Sequence, residues 1–368
     1  MLICFLWAIL LGVVEGVTEW LPVSSTGHLL LLQSAFDVEL CRGMPPSLYA
    51  GFCEMFDVVI QLGAIAAVAV RFFPRLWPFE WCGSACRDGQ RDEYRSGQRT
   101  ECREGTRDGH RYGHRYGHRD GRHNGALRWR PEAVRLWGLL LLASLPAAFA
   151  GLVLDRLLER LTGRDIDGWL YTPAVIAAAL IVYGVLFIAV ELRGRHGRRG
   201  RCRDGGGRGF NSVYSVANSA KSAKSVKSAN IAADTAGVGA GVALGMGVCQ
   251  MLAIVPGTSR SGATMLGAML MGLTRPAAAE FSFLMAVPAM AGAGLIKACG
   301  FVRLVAQRGE TVPAAAWAVL AVASLTAFLV SAVTINFLTD FVKRHTLIPF
   351  GIYRLALGVA VLIYFWMV

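Results

Sequence analysis

Residues 12–32 read GVVEGVTEWLPVSSTGHLLLL and place two glutamates, a proline, a hydroxyl cluster and a histidine between apolar runs. A carboxylate at the centre of a bilayer costs at least ~2.5–3.5 kcal/mol on insertion scales. Pro22 interrupts helical hydrogen bonding, and the serines that follow it are favoured N-caps for a new helix. We therefore predict helix, polar break and helix over residues 3–36, with the polar groups facing protein and not lipid.

The composition is that of an integral membrane protein. The 368 residues are 54% hydrophobic and 17% charged, with a mean hydropathy of +0.46, against about 45–50% and 25% in soluble domains. A helix needs ~20 apolar residues to cross a bilayer. Six stretches have that length: 54–73, 135–154, 171–190, 277–299, 314–338 and 348–368.

A second broken segment, 237–273, is interrupted at Pro256-Gly257. Each broken segment precedes three spans, and "PVSS" at 22–25 echoes "PGTS" at 256–259. If each broken segment re-enters the membrane, three spans invert the second half relative to the first, with both breaks near the midplane. We predict an all-α polytopic membrane protein with six transmembrane helices and two re-entrant helical hairpins in an inverted-topology repeat.

The predicted boundaries follow from this division. The first repeat is 1–193 with its hairpin at 3–36, and the second is 237–368 with its hairpin at 237–273. A basic, low-complexity insert occupies 82–130, and a basic, low-complexity linker occupies 194–236.

The net charge of +12 lies in the loops. Residues 71–130 carry a net +6 and residues 191–230 a net +8, so the rest of the chain is slightly acidic. The positive-inside rule then places both basic segments in the cytoplasm, where they can contact anionic lipid. We interpret the basicity as membrane topology and expect no nucleic-acid partner. The nine cysteines form no C-x-x-C pair, and we predict neither a disulfide framework nor a zinc site.

Glu15 and Glu19 are four residues apart and share one face of the first helix. A divalent metal would satisfy both, because Mg²⁺ commonly takes one or two carboxylates together with phosphate oxygens and water. The alternative is a helix end at the interface with both acids solvated.

Ser25 and His28 are three residues apart, a spacing compatible with a nucleophile and its base. Capping alone would also explain the serines. Free N–H groups at this helix start would hold an anion.

The second break, with the sequence VPGTSRSGATMLGAMLMG at 255–272, holds one charge, Arg260. A guanidinium offers a planar fork of donors suited to phosphate oxygens. The alternative for Arg260 is a salt bridge, for instance to Glu19. Elsewhere within the spans, Glu280 and Arg354 form a plausible pair, and Asp57 needs a nearby donor.

The two motifs, "LGVVEGVTEWLPVSSTGHL" and "VPGTSRSGATMLGAMLMGLTR", resemble the signatures of the undecaprenyl-diphosphate phosphatase family of the bacitracin-resistance type. "FDVVIQLGAIAAV" (56–68), "EFSFLMAVPAM" (280–290) and "IPFGIYR" (348–354) resemble it too, in the expected order. The resemblance covers nearly the whole hydrophobic chain, and the two basic segments depart from it in length and composition.

The resemblance implies a bacterial inner-membrane hydrolase that removes one phosphate from undecaprenyl diphosphate. The product is the carrier lipid of peptidoglycan and cell-wall synthesis, and the activity confers bacitracin resistance. It also implies a divalent cation, Mg²⁺ or Ca²⁺, a membrane-lipid environment and an active site that opens to the periplasm, and it leaves room for a homodimer.

Site residues are carried over by motif. The implied catalytic residues are Glu15, Glu19, Ser25, His28 and Arg260, with Glu15 and Glu19 also as metal ligands. The implied substrate-binding residues are Ser24, Thr26, Gly257, Thr258, Ser259, Ser261 and Thr264. Two paths stay open: Ser25 attacks phosphorus with help from His28, or His28 assists a water. The alternative function is a polyprenyl-phosphate transporter or flippase, since inverted repeats are also a carrier signature.

Overall fold

The computed structural model describes residues 2–35, 43–82, 126–162, 170, 172–201 and 238–367. Most of the predicted insert (83–125) and of the predicted linker (202–236) therefore lies outside the described residues. Residues 194–201 of that linker continue a helix. The predicted boundaries of the repeats stay predictions.

The described chain is almost entirely helical. Its α-helices are α1 (Leu2–Thr18), α2 (Ser25–Ala35), α3 (Pro46–Arg71), α4 (Phe73–Leu76), α5 (Pro131–Thr162), α6 (Pro173–Arg201), α7 (Ala240–Met251), α8 (Arg260–Leu270), α9 (Arg275–Arg308), α10 (Ala314–Arg344) and α11 (Ile348–Met367). Six of them, α3, α5, α6, α9, α10 and α11, are long and apolar enough to cross a membrane. These six match the predicted spans in number and order, and the polytopic membrane class is confirmed.

Both broken segments have the predicted helix–break–helix form. In the first, α1 ends at Thr18 and α2 begins at Ser25. In the second, α7 continues into a 3₁₀ turn at Leu252–Ile254, and α8 begins at Arg260. All four α-helices have 17 or fewer residues, so none has the length of a spanning helix. Re-entry of these hairpins into the membrane stays a prediction.

The long helices pack in pairs. Helix α3 lies against α9, and α6 lies against α11. These two contacts join helices at the same place in the two halves of the chain, and the division into two repeats stays a prediction. Helix α1 packs along α10, which also contacts α3, and fully buried Leu11, Phe52 and Phe56 lie in this core. Because lipid is as apolar as these side chains, the association depends on close packing.

Residues Pro74–Trp137 form a separate small unit. Its strands β1 (Phe79–Cys82) and β2 (Ala126–Trp129) pair antiparallel, with Cys82 opposite Ala126. At the other end of the pair, the rings of Phe79 and Trp129 have their centroids 4.6 Å apart. The strands therefore bring the two ends of segment 83–125 side by side.

Candidate active site

The second helix of each hairpin is capped by one serine, and the two serines have the same unusual backbone conformation. Ser24 has φ 78° and Ser259 has φ 68°, and they are the non-glycine residues with positive φ among the described residues. Ser24 Oγ accepts from Gly27 N at 3.3 Å, and Ser259 Oγ accepts from Gly262 N at 3.1 Å. A left-handed residue costs about 1–2 kcal/mol, so the cap and the surrounding contacts must hold each serine in place.

This match corrects the predicted alignment of the two breaks. We aligned "PVSS" with "PGTS", which places Ser25 opposite Ser259. The caps instead make Ser24 the counterpart of Ser259, because each is followed three residues later by the glycine whose N–H it accepts. In the corrected register, Ser25 of the first hairpin corresponds to Arg260 of the second.

Glu19 lies at the centre of the site. Its Oε2 accepts the Ser25 hydroxyl at 2.6 Å, and its Oε1 accepts Nε and Nη2 of Arg260, both at 3.3 Å. Its backbone carbonyl accepts the Ser261 hydroxyl at 3.1 Å. The salt bridge between Arg260 and Glu19, which the sequence analysis gave as an alternative, is therefore present. The two hairpins meet at this one carboxylate.

Arg260 reaches three different parts of the protein. Besides Glu19, its Nη1 donates to the Ser282 carbonyl on α9 at 3.0 Å, and its guanidinium lies 5.9 Å from the Trp20 ring centroid. Its side chain keeps 12% of its surface exposed, against 5% for Glu19. Thr264 fixes the neighbouring turn of α8 through a 2.6 Å hydrogen bond between its hydroxyl and that of Ser282.

The predicted pairing of Ser25 with His28 is wrong. His28 Nδ1 lies 2.6 Å from the Ser24 carbonyl, and Nε2 lies 2.6 Å from the Tyr353 hydroxyl. Because a carbonyl only accepts, Nδ1 carries the proton, and in the neutral ring Nε2 accepts from Tyr353. Both nitrogens of His28 are engaged, and the partner of Ser25 is Glu19 because Ser25, first in α2, turns back toward the break.

Glu15 is fully buried, and both its carboxylate oxygens lack a hydrogen-bond partner among the described residues. Glu19, one helical turn further along the chain, and Asp57 on α3 are its acidic neighbours. A buried carboxylate with unfilled oxygens beside a second one fits a divalent cation that takes its other ligands from phosphate and water. The described residues hold no group of three or more acidic, His or Cys side chains placed to bind a metal.

The other predicted binding residues lie in the two breaks or in the first helical turn after them. Thr26 lies half-buried in the first turn of α2. Gly257 has φ 90°, and a Cβ there would lie 2.7 Å from the Ile176 carbonyl oxygen, so only glycine fits. Ser259 and Ser261 lie with their hydroxyls 3.2 Å apart. The backbone of Gly257 and Thr258 contacts Arg354, a residue that was not predicted to belong to the site.

Arg354 corrects another prediction. Its predicted salt bridge to Glu280 is not among the salt bridges of the described residues. Its guanidinium instead donates to carbonyl oxygens in both breaks, because a break leaves carbonyls without helical N–H partners. Asp57 does find the predicted donor, Gln33 Nε2 at 3.1 Å. Tyr353, which contacts His28, was also missed, although both Tyr353 and Arg354 stand in the quoted IPFGIYR motif.

A serine that donates to a carboxylate, beside an arginine and two capped helix starts, is a site built for an anionic group. It is set in a polytopic membrane protein, and this defines the class of the chain: an integral membrane protein in which two broken helical segments meet at one buried carboxylate.

The chain belongs to the bacitracin resistance protein BacA family, which it matches over residues 8–360. It is 32% identical over 360 residues to undecaprenyl-diphosphatase 1 of Clostridioides difficile (strain 630), covering 98% of this chain and 96% of that protein. It is 36% identical over 360 residues to undecaprenyl-diphosphatase of Lactococcus lactis subsp. cremoris (strain SK11), with the same coverage. The corresponding Enterococcus faecalis protein is 34% identical over 355 residues, covering 96% of this chain and 95% of that protein. The family resemblance of the two motifs is confirmed.

Proposed function

We propose that the chain hydrolyses undecaprenyl diphosphate to undecaprenyl phosphate and inorganic phosphate. This reaction recycles the carrier lipid for peptidoglycan and cell-wall synthesis and confers resistance to bacitracin. The proposal rests on one observation above the others: Glu19 joins Ser25 of one hairpin to Arg260 of the other. The relatives named undecaprenyl-diphosphatase support the choice of substrate.

In this mechanism Ser25 is the nucleophile. Its proton passes to Glu19 Oε2, which already accepts the hydroxyl at 2.6 Å, while Ser25 Oγ bonds to the terminal phosphorus. The bond from that phosphorus to the bridging oxygen breaks, and undecaprenyl phosphate leaves. Water then hydrolyses the phosphoserine and releases inorganic phosphate. Glu19 thereby replaces His28 as the base.

Arg260 binds and orients the phosphate groups. Its planar fork suits phosphate oxygens, and its position between Glu19 and the Ser282 carbonyl fixes the direction of its donors. His28, held by Ser24 and Tyr353, orients the first turn of α2. The N–H groups at the starts of α2 and α8 add further donors for an anion.

Glu15, with Glu19 beside it, would hold a divalent cation, Mg²⁺ or Ca²⁺. The bound cation would neutralise phosphate charge and polarise the phosphoryl group. The support is local: both oxygens of Glu15 are buried and without a hydrogen bond among the described residues.

The site belongs to the inner membrane and opens to the periplasm in this proposal. Segments 71–130 and 191–230, both strongly basic, and Lys343 and Arg344 at the end of α10 then share the cytoplasmic side. An impermeant thiol reagent applied to intact cells tests this orientation. A cysteine placed at Thr311 should react and one placed at Thr346 should not, and the reverse pattern would refute it.

The decisive experiment measures phosphate release by the purified protein in detergent with undecaprenyl diphosphate as substrate. A detergent micelle has no two sides, so turnover there requires an enzyme and excludes a protein that only transports. Release that depends on Mg²⁺ or Ca²⁺ and is lost in Glu19→Gln would support the proposal. If no phosphate is released in detergent and lipid moves across the bilayer of vesicles, the transporter alternative is favoured instead.

A further inference from the structure

We propose that Arg354 is a positioning residue that holds the two breaks together, so that Ser25, Glu19 and Arg260 meet. The inference deepens the proposed phosphatase function and uses that function for one of its two readouts. It is carried by the contacts of a single buried guanidinium with both hairpins.

Arg354 donates to both breaks at once. Its Nη1 donates to the Pro22 carbonyl in the first break at 3.2 Å. Its Nη2 donates to the Gly257 carbonyl at 2.7 Å and to the Thr258 carbonyl at 3.1 Å in the second. Arg354 also contacts α6, where its Nη2 lies 3.5 Å from the Ala179 carbonyl.

These carbonyls lie next to the strained serines. Pro22 is two residues before Ser24, and Gly257 and Thr258 are the two residues before Ser259. Both serines have positive φ, and each begins the helix that carries its half of the site. A side chain that fixes the carbonyls ahead of both serines therefore fixes the direction in which α2 and α8 start.

The environment of Arg354 excludes direct contact with substrate. Its side chain is fully buried, both terminal nitrogens already donate to backbone carbonyls, and Nε, which has no partner among the described residues, is buried as well. None of the salt bridges among the described residues includes it. Arg260 differs in its exposure and in its pairing, because it is partly exposed and is paired with Glu19.

Helix α11 supplies a rigid base for this contact. Its Gly351 approaches α6 so closely that a Cβ would lie 2.9 Å from the Gly184 carbonyl oxygen. Next to that contact on α6, and about one turn after Gly351 on α11, the Tyr183 ring faces the Arg354 guanidinium, which lies 5.5 Å from the ring centroid. The guanidinium is therefore held by two long helices while it joins two short hairpins.

A purely electrostatic role for Arg354 would separate two substitutions, lysine and glutamine, that a geometric role makes equivalent. Lysine keeps the charge but has no planar fork of donors, so Arg354→Lys should behave like Arg354→Gln. Because a small misplacement of reacting groups can lower a rate ~100-fold, we expect kcat to fall by about that factor in Arg354→Gln. KM should change less than about threefold, since substrate does not contact the residue.

Arg275→Gln is the matched control. Arg275 also donates to a buried partner, Glu191 Oε2 at 2.7 Å, and also joins two long helices, α9 and α6. Its loss should lower the thermal midpoint and leave kcat within about twofold. A comparable loss of kcat in both variants would mean that Arg354 is merely structural, and would overturn the proposal.

Hydrogen exchange gives a readout that does not depend on turnover. Mass spectrometry of wild type, Arg354→Lys and Arg275→Gln should follow peptides that cover residues 19–27 and 255–262. We expect Arg354→Lys to exchange faster at both breaks, which lie far apart in the sequence, and Arg275→Gln to exchange like wild type at both. Unchanged exchange at either break in Arg354→Lys would overturn the proposal.

The two proposals fail separately. Wild-type protein that releases no phosphate in detergent refutes the phosphatase function and leaves the exchange result to decide on Arg354. Active wild type with an unchanged kcat in Arg354→Lys refutes the positioning role alone. If Arg354→Gln does not fold, the lysine variant, which keeps the buried charge, carries both measurements.

Discussion

Ser24 and Ser259 are structural counterparts, each with positive φ and each capping the helix that carries its half of the site. A positive φ at serine is uncommon and is maintained only where the surroundings require it. Because this rare conformation occurs at the equivalent position in both hairpins, we infer that the geometry of the site requires it. The first prediction concerns this geometry.

Glycine should be tolerated better than alanine at Ser24. Alanine removes the cap, at a cost of about 0.5–2 kcal/mol, and keeps the left-handed strain. Glycine also removes the hydroxyl but relieves about 1–2 kcal/mol of strain. The free energy of unfolding in detergent should therefore be higher for Ser24→Gly than for Ser24→Ala, and the same order is expected at Ser259.

Thr274 is the control for this prediction. It caps α9 through Ala277 N at 3.4 Å, but its φ is −68°. The difference between its glycine and alanine variants should be smaller by about 1 kcal/mol, since no left-handed strain is relieved. Equal differences at Thr274 and Ser24 would contradict the strain argument.

Glu19→Gln should abolish most of the phosphatase activity. The amide keeps the size of the side chain but removes the charge that pairs with Arg260 and the basic oxygen that accepts from Ser25. Loss of a general base typically lowers kcat by about 10²–10⁴-fold. Glu54→Gln is the matched control, because Glu54 is 57% exposed and pairs with Lys297 away from the site. Its kcat should stay at the wild-type value, and substantial turnover by Glu19→Gln would exclude Glu19 as the base.

The sequence was sufficient to locate the breaks and the spans. Pro22 and Pro256 stop their helices, the hydroxyl residues that follow include the caps, and six apolar stretches give the spans. Charged residues in apolar runs also located Glu19 and Arg260 before any contact was known. These features depend on residues that are close together in the sequence, so the sequence alone predicts them.

The partners of the side chains could not be predicted in the same way. Ser25 and His28 share a helical spacing, yet Ser25 donates backwards to Glu19 because it is the first residue of α2. Arg354 is 332 residues from Pro22, and its contacts depend on how α11 packs between the breaks. The corrected alignment of Ser24 with Ser259 needed backbone angles, which sequence similarity over four residues does not provide.

Tyr353→Phe should lower activity less than substitution of His28 does. The change removes the hydroxyl that donates to His28 Nε2 but keeps the ring stacked on the imidazole. A neutral hydrogen bond contributes about 0.5–1.5 kcal/mol, which corresponds to a fall in kcat of up to about tenfold. Tyr364→Phe is the control: Tyr364 is on the same helix and is equally exposed, but the contact with His28 belongs to Tyr353, so the change should be neutral. A kcat for Tyr353→Phe below that of His28→Ala would show that the hydroxyl acts on substrate directly.

Glu15→Gln should separate metal binding from folding. Without a divalent cation, the amide matches in size a buried carboxyl group whose oxygens have no hydrogen-bond partner among the described residues and brings no unpaired charge into the interior, so the variant should be at least as stable as wild type. With Mg²⁺ or Ca²⁺, wild type should gain thermal stability and the variant should not, because only the carboxylate binds the ion. Thermal midpoints measured with chelator and with each cation test both statements. An equal gain in the two proteins would place the cation elsewhere.

Replacement of residues 83–125 by Asn-Gly should leave turnover unchanged. Cys82 and Ala126 are paired across β1 and β2, and Asn-Gly is a favoured two-residue turn for closing such a pair into a hairpin. No candidate site residue lies in the removed segment, so kcat and KM in detergent should stay within about twofold of wild type. Replacement by Pro-Pro, which suits the turn badly, is the control for the junction: it should lower the yield of folded protein without lowering the kcat of the folded fraction. Loss of kcat in a folded Asn-Gly variant would contradict this prediction and would show that segment 83–125 takes part in catalysis.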